Sequence, residues 1–154
     1  MSVRAKSPDA GEREICFVDT NVLVYGLDKS PSAKKQVAQE LLGGLMDTDR
    51  LRVSTQVLQE LFVTLTLKVK NRCSSRDAMA VLEDLSAWPV ITIDFPAIRD
   101  AVRLADQTRI SFWDALVVVA ASRSGAKVLF TEDLNDGQEI LGVRVRNPFK
   151  GVVA

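Results

Sequence analysis

Short apolar runs separated by segments of helical length constrain this chain more than any other feature. One run ends at Phe17-Val18, and others follow at Leu51–Val53, Pro89–Ile93, Lys127–Phe130 and Val143–Val145. Runs this short and this apolar read as strands buried on both faces. Between them lies helical punctuation. Ser30-Pro31-Ser32 opens a helix through about Leu42, closed by Gly43-Gly44. Ser54 caps a long helix, Thr55 to about Lys70, whose Val57, Leu58, Leu61, Phe62, Leu65 and Val69 make one wide apolar face. Ser75 caps another, to about Trp88, and Phe95–Gln107 is helical with Ile98, Val102 and Ala105 on one face. A very apolar helix starts at Ser111-Phe112-Trp113-Asp114 and ends before Gly125. Strands alternating with helices predict an α/β/α sandwich around a parallel sheet of about five strands. A chain of 154 residues, 47% of them hydrophobic, is enough for one core and too short for two ordinary domains. The domain is expected over 15–149, with a polar, flexible tail over 1–14 and a short C-terminal end over 150–154.

The first run resumes after three polar residues, Asp19-Thr20-Asn21, which places Asp19 just past the carboxyl end of a strand. Open α/β sheets bind ligands at that edge. The same tripeptide is also good helix-capping chemistry, and both readings stand at this point.

Composition narrows the chemistry. There is no histidine, which removes Ser-His and Cys-His nucleophiles and imidazole-bound zinc. Cys16 and Cys73 form no Cys-x-x-Cys pair and read as reduced thiols. Any acid–base or metal chemistry therefore runs on carboxylates. Twenty basic residues balance twenty acidic ones, so polyanion binding would rest on local patches. The apolar run Ala115–Ala121 is far shorter than the roughly 18 to 20 residues that span a bilayer. Residues 1–14 have no apolar signal-like segment, and a cytoplasmic location is expected.

Parallel strands would bring Asp19, after the first strand, and Asp133, after the fourth, to one edge. Asp114, in the first turn of its helix, feeds that region, and Glu60 lies on a helix apolar nearly all round, so it faces a pocket or an interface. Each acid has an ordinary alternative. Asp114 stands three residues after Ser111, as in a capping box, Asp133 neighbours the turn residues Asn135 and Asp136, and Glu60 alone would be structural. Convergent carboxylates repel one another and need cations or protons to compensate; divalent metal is the natural answer, and all-oxygen ligation suits Mg²⁺ or Mn²⁺. Such a site can hydrolyse a phosphodiester.

Together, Phe17-Val18-Asp19-Thr20-Asn21-Val22-Leu23, Ser54-Thr55-Gln56-Val57-Leu58-Gln59-Glu60, Ser111-Phe112-Trp113-Asp114-Ala115-Leu116, Leu129-Phe130-Thr131-Glu132-Asp133-Leu134 and Asn147-Pro148-Phe149 resemble the PIN-domain ribonucleases, specifically the VapC-type toxins of bacterial toxin–antitoxin pairs. The resemblance implies a PIN-like fold and an acidic cluster of Asp19, Glu60, Asp114 and Asp133. It implies that this cluster binds Mg²⁺ or Mn²⁺, with Asp19, Asp114 and Asp133 as metal ligands, and activates water for RNA cleavage. Asn21 and Thr131 match supporting polar positions, and Asp136 is not expected to be a direct ligand. The resemblance further implies a homodimer and a cognate VapB-like antitoxin that covers the groove and inserts a basic side chain among the acids. The RNA-contact candidates are Lys68, Lys70, Arg72 and Arg76, a local excess of positive charge after the Glu60 helix, which a solvated helix end would also explain. A nuclease of other nucleic-acid specificity and a non-catalytic PIN-like binding module are the alternatives.

Overall fold

The structure is a computed structural model that describes residues 14–153. All of the expected N-terminal tail except Glu14 lies outside the described residues. A sheet in the order β3-β2-β1-β4-β6-β5 forms the middle layer. Its strands are β1 (Cys16–Val18), β2 (Leu51–Ser54), β3 (Val90–Ile91), β4 (Val128–Phe130), β5 (Glu139–Ile140) and β6 (Val143–Arg146). Six helices, α1 (Thr20–Leu27), α2 (Ala33–Asp47), α3 (Thr55–Val63), α4 (Ser75–Leu85), α5 (Phe95–Thr108) and α6 (Phe112–Arg123), cover its two faces. The strands pair in parallel except for β5 and β6. Phe17, Val18 and Leu129 are fully buried, which is why β1 and β4 read as apolar runs, and β2 buries Leu51 and Val53 on either side of the half-buried Arg52.

The sheet has six strands rather than about five. The additional one, β5, is a two-residue edge strand in a hairpin with β6, where Ile140 pairs with Val143. A strand that short has no periodicity to detect. Leu141-Gly142 closes the hairpin with φ of 51° and 76°. Positive φ at both central positions marks a type I′ turn, which favours Asn-Gly and strains leucine. The Leu141 side chain is more than half exposed. Leu141→Asn is therefore expected to stabilise the fold by about 1 kcal/mol, seen as a higher urea midpoint at unchanged slope; a lower midpoint would mean that the leucine contacts matter more than the turn.

Several helix boundaries move for packing reasons. Helix α2 runs through Gly43-Gly44 to Asp47 because Leu45, beyond the glycines, is buried in the core. Two helical glycines cost about 2 kcal/mol relative to alanine, about what one buried leucine returns. Helix α3 gives way at Thr64–Lys68 to a π-helical turn, so Lys70 lies beyond it. Ser74, not Ser75, caps α4. On α5 the buried residues are Ala97, Ala101 and Leu104, and the two alanines let α6 approach closely. Ile98 and Val102 are left exposed, together with Phe95. Helix α6 is buried from Ala115 through Ala121, between α5 and the sheet. Among the described residues no helix is long and apolar enough to cross a membrane.

Candidate active site

The parallel ladders set the acids in place. Asp19 N–H donates to the Phe130 carbonyl at 3.0 Å and Thr131 N–H to the Arg146 carbonyl at 3.1 Å, so both residues stand at the same sheet edge, one step past their strands. Asp19 is 5% exposed. Its Oδ1 accepts the Thr20 N–H at 2.8 Å and its Oδ2 accepts the Thr131 hydroxyl at 2.9 Å. Capping α1 and facing the site are thus one role, because the free N–H groups of a helix start hold the carboxylate at the sheet edge.

Thr131 joins three elements of the site. Besides donating to Asp19, its Oγ1 accepts the Asp133 N–H at 3.1 Å and Asn21 Nδ2 at 3.3 Å. Asn21 clamps the same loop from α1, donating to Asp133 Oδ2 at 2.9 Å and accepting the Glu132 N–H at 3.4 Å. Glu60, from the second turn of α3, is held at both oxygens. Thr20 Oγ1 donates to Oε2 and Gln56 Nε2 to Oε1, each at 3.0 Å. Asp114 follows the cap residue Ser111, whose Oγ accepts its N–H at 3.0 Å.

A cavity of about 240 Å³ is walled by Asp19, Glu60, Asp114 and Asp133 together with Gln56 and Trp113. A second, of about 560 Å³, shares Asp19, Glu60 and Asp133 and reaches Asn21, Tyr25, Glu132 and Lys68. The two make a trough along the carboxyl edge of the sheet. Of the basic candidates, Lys68 lines this trough. Lys70, Arg72 and Arg76 are exposed and line neither cavity.

Electrostatically the trough is short of positive charge. Burial pushes the Asp19 carboxyl up to about 6, against the pull of the Thr131 hydroxyl and the Thr20 N–H, and Asp133 and Glu60 push the same way as burial. Asp114 is also raised, first by partial burial, with the Ser111 hydroxyl opposing and Asp133 and Glu60 adding. Gln56 Oε1, in the wall of the smaller cavity, is buried without a donor. Uncompensated carboxylates beside an orphaned carbonyl oxygen fit a hard, oxygen-seeking cation and its hydration shell. As placed, no three acidic or cysteine side chains among the described residues are grouped tightly enough to hold an ion, so ligation would draw them together.

Sequence reasoning missed the residues that hold the acids. Thr20 and Gln56 fix Glu60, and the i, i+4 spacing of Gln56 and Glu60 was the available signal. Glu132 is tied off at the rim by Lys34 at 3.3 Å and by the Tyr25 hydroxyl at 3.2 Å. Tyr25 meets Phe149 edge-on with ring centroids 4.7 Å apart, which accounts for the Asn147-Pro148-Phe149 segment. Asp136 is turned to that segment. Its carboxylate accepts the Asn147 N–H at 2.9 Å and Lys150 Nζ at 3.3 Å, and these two donors hold it below the usual carboxylate range.

A parallel α/β sheet with acids gathered at its carboxyl edge defines a class of fold and site, and comparison with known proteins supplies the family. The chain belongs to the PIN-domain family, whose model matches residues 16–135. No curated protein matches it in sequence. Among solved structures it is similar to a toxin–antitoxin complex from Klebsiella pneumoniae, at 20% identity and a TM-score of 0.64 over 86% of this chain and 97% of that one. It is also similar to VapBC2 from Rickettsia felis bound to a DNA fragment from its promoter, at 21% identity and a TM-score of 0.62 over 86% and 97%. A third similar structure is VapC20 from Mycobacterium tuberculosis, a sarcin–ricin loop cleaving toxin, at 22% identity and a TM-score of 0.57 over 74% and 86%.

Proposed function

We propose that this PIN-domain protein is the toxin of a VapBC-type pair, a Mg²⁺- or Mn²⁺-dependent endoribonuclease acting in the cytoplasm. The observation that carries the reading is the wall shared by Asp19, Glu60, Asp114 and Asp133 in one small cavity. Asp19, Asp114 and Asp133 are the residues to hold the cation. When bound, a divalent ion supplies charge neutralisation at a phosphodiester and acidification of water. The chain's own residues do the positioning. Thr131 keeps an Asp19 oxygen in place, Asn21 holds the loop that carries Asp133, and Thr20 with Gln56 fixes the Glu60 carboxylate in the wall of the trough. Lys68 stands on the rim, where a backbone phosphate would enter.

Two surfaces support the partners this reading carries. An apolar groove of about 700 Å³, lined by Leu23, Leu42, Met46, Val81, Leu85 and Trp88, suits an antitoxin segment. The exposed Phe95, Ile98 and Val102 on α5 suit a second copy of the chain.

The test is cleavage of end-labelled cellular RNA by the purified protein with Mg²⁺ or Mn²⁺, with EDTA, and with an excess of single-stranded DNA as competitor. Discrete RNA products that require the metal are expected. Cleavage surviving EDTA would remove the metal, and cleavage of DNA in preference to RNA would establish the other specificity. A folded protein that binds metal without cutting either would leave the non-catalytic module.

A further inference from the structure

One large side chain in the trough has no part in holding the acids. Trp113 is 63% exposed although it adjoins Asp114 and lines the cavity with the four carboxylates. An indole left this open at a polar site is a recognition feature rather than a packing one. Its backbone is fixed. Gln56 Nε2 donates to the Trp113 carbonyl at 3.3 Å, and the Ser111 cap locks the turn. The indole leans edge-on against Phe112, with centroids 5.1 Å apart and planes at 74°, and Phe112 in turn packs on the core. The other aromatic of the trough, Tyr25, is committed to Glu132, Lys34 and Phe149.

Charge does not supply the affinity that an RNA strand needs here. The net charge is zero, and the trough floor is carboxylate. Lys68 is the one basic side chain among the residues lining the two cavities. Base stacking is independent of charge and tolerant of sequence.

We propose that Trp113 is the stacking platform for an unpaired base beside the scissile phosphate. The proposal rests on the nuclease reading above. An extruded base can lie on the indole, whereas a base in a helix would first have to leave its stack and its partner. The phosphate that follows such a base then runs over Asp114 and Asp19.

The experiment measures kcat and KM on a short single-stranded RNA and on the same sequence within a hairpin stem, for the wild type and for Trp113→Ala, Trp113→Phe and Trp113→Leu. Stacking predicts that Trp113→Ala raises KM on the single strand about 5- to 150-fold, the equivalent of about 1–3 kcal/mol per stacked base, with kcat nearly unchanged. Phenylalanine should restore most of the loss and leucine little, and any preference for single strand over stem should shrink in the alanine variant. Unchanged KM in Trp113→Ala, or full rescue by leucine, would overturn the proposal. So would a change from dimer to monomer by light scattering at unaltered KM, which would assign the indole to a protein interface. Should the alanine variant fail to fold, the phenylalanine and leucine variants still separate stacking from apolar bulk. A wild type that cuts while Trp113→Ala cuts equally well defeats the stacking alone, whereas a folded wild type that neither binds nor cuts RNA defeats the nuclease reading first and the stacking with it.

Discussion

Replacing Asp19 with asparagine is expected to abolish cleavage while making the metal-free protein more stable at pH 8. The loss of activity follows from removing the most buried carboxylate of the trough, where several kcal/mol of charge stabilisation correspond to about a thousandfold in rate. The gain in stability follows from linkage. The Asp19 carboxyl titrates at about 6 in the folded chain, against an ordinary 3.8. The folded state therefore holds this proton more tightly than the unfolded state does. The stability this contributes is complete below about pH 3.8 and is lost as the pH rises through about 6. Above that range the difference amounts to about 3 kcal/mol. Asparagine removes the charge but points an amide at Thr131, giving up a hydrogen bond of about 1 kcal/mol and leaving a net gain of roughly 2 kcal/mol.

Thermal melts of both proteins at pH 4 and pH 8, with and without Mg²⁺, check this. At pH 8 without metal the variant should melt higher, and at pH 4 the advantage should vanish. Mg²⁺ should raise only the wild type, by about 2.7 kcal/mol at a concentration a hundred times Kd. A variant less stable than wild type at pH 8 would show that the cap on α1 outweighs the charge. A wild type indifferent to Mg²⁺ would remove the cation from the site.

Thr131→Val should be the most damaging substitution among the neutral residues of the site. Thr131 is 1% exposed, and valine matches its shape while deleting one donor and one acceptor. The Asp133 N–H and Asp19 Oδ2 would both lose their partner. A buried polar group without a partner costs about 1–3 kcal/mol; Asp19 Oδ2 is buried whereas the N–H of the exposed Asp133 can turn to water, which puts the expected loss at about 2 kcal/mol. The Asp19 carboxyl would climb further, since the Thr131 hydroxyl is the strongest influence holding it down. Residues standing behind a metal ligand commonly carry 10- to 100-fold in affinity, so Mn²⁺ binding by calorimetry should weaken by about that factor. Thr131→Ser, which keeps the hydroxyl, should recover most of both losses. Equal damage from serine and valine would place the effect in the methyl group and its packing instead.

The fold was legible where chemistry repeats and opaque where packing decides. Buried parallel strands such as Cys16–Val18 and Val128–Phe130 announce themselves as apolar runs, and serine caps mark the starts of α2, α3 and α6. Gly43-Gly44 misled because helix propensity is weak against the burial of Leu45. The stripe of Ile98 and Val102 located the helix but not its buried face, because the close α5–α6 contact selects the small Ala97 and Ala101. At the site, strand ends identified Asp19 and Asp133 as neighbours across the sheet. The threonine, glutamine and asparagine that orient them look like ordinary polar residues until the tertiary fold turns them inward.

The pairing of β1 with β4 also sets when this site comes into being. Asp19 and Thr131 are 112 positions apart, and the ladder that aligns them is parallel. Contacts so distant along the chain form only after the intervening loop has closed, which makes them late and slow events in folding. A growing polypeptide that has emerged only as far as α6 carries Asp19, Glu60 and Asp114 but has no strand on which to hang Asp133. The trough is therefore a property of the finished molecule, and chains interrupted anywhere before β4 lack one of its walls.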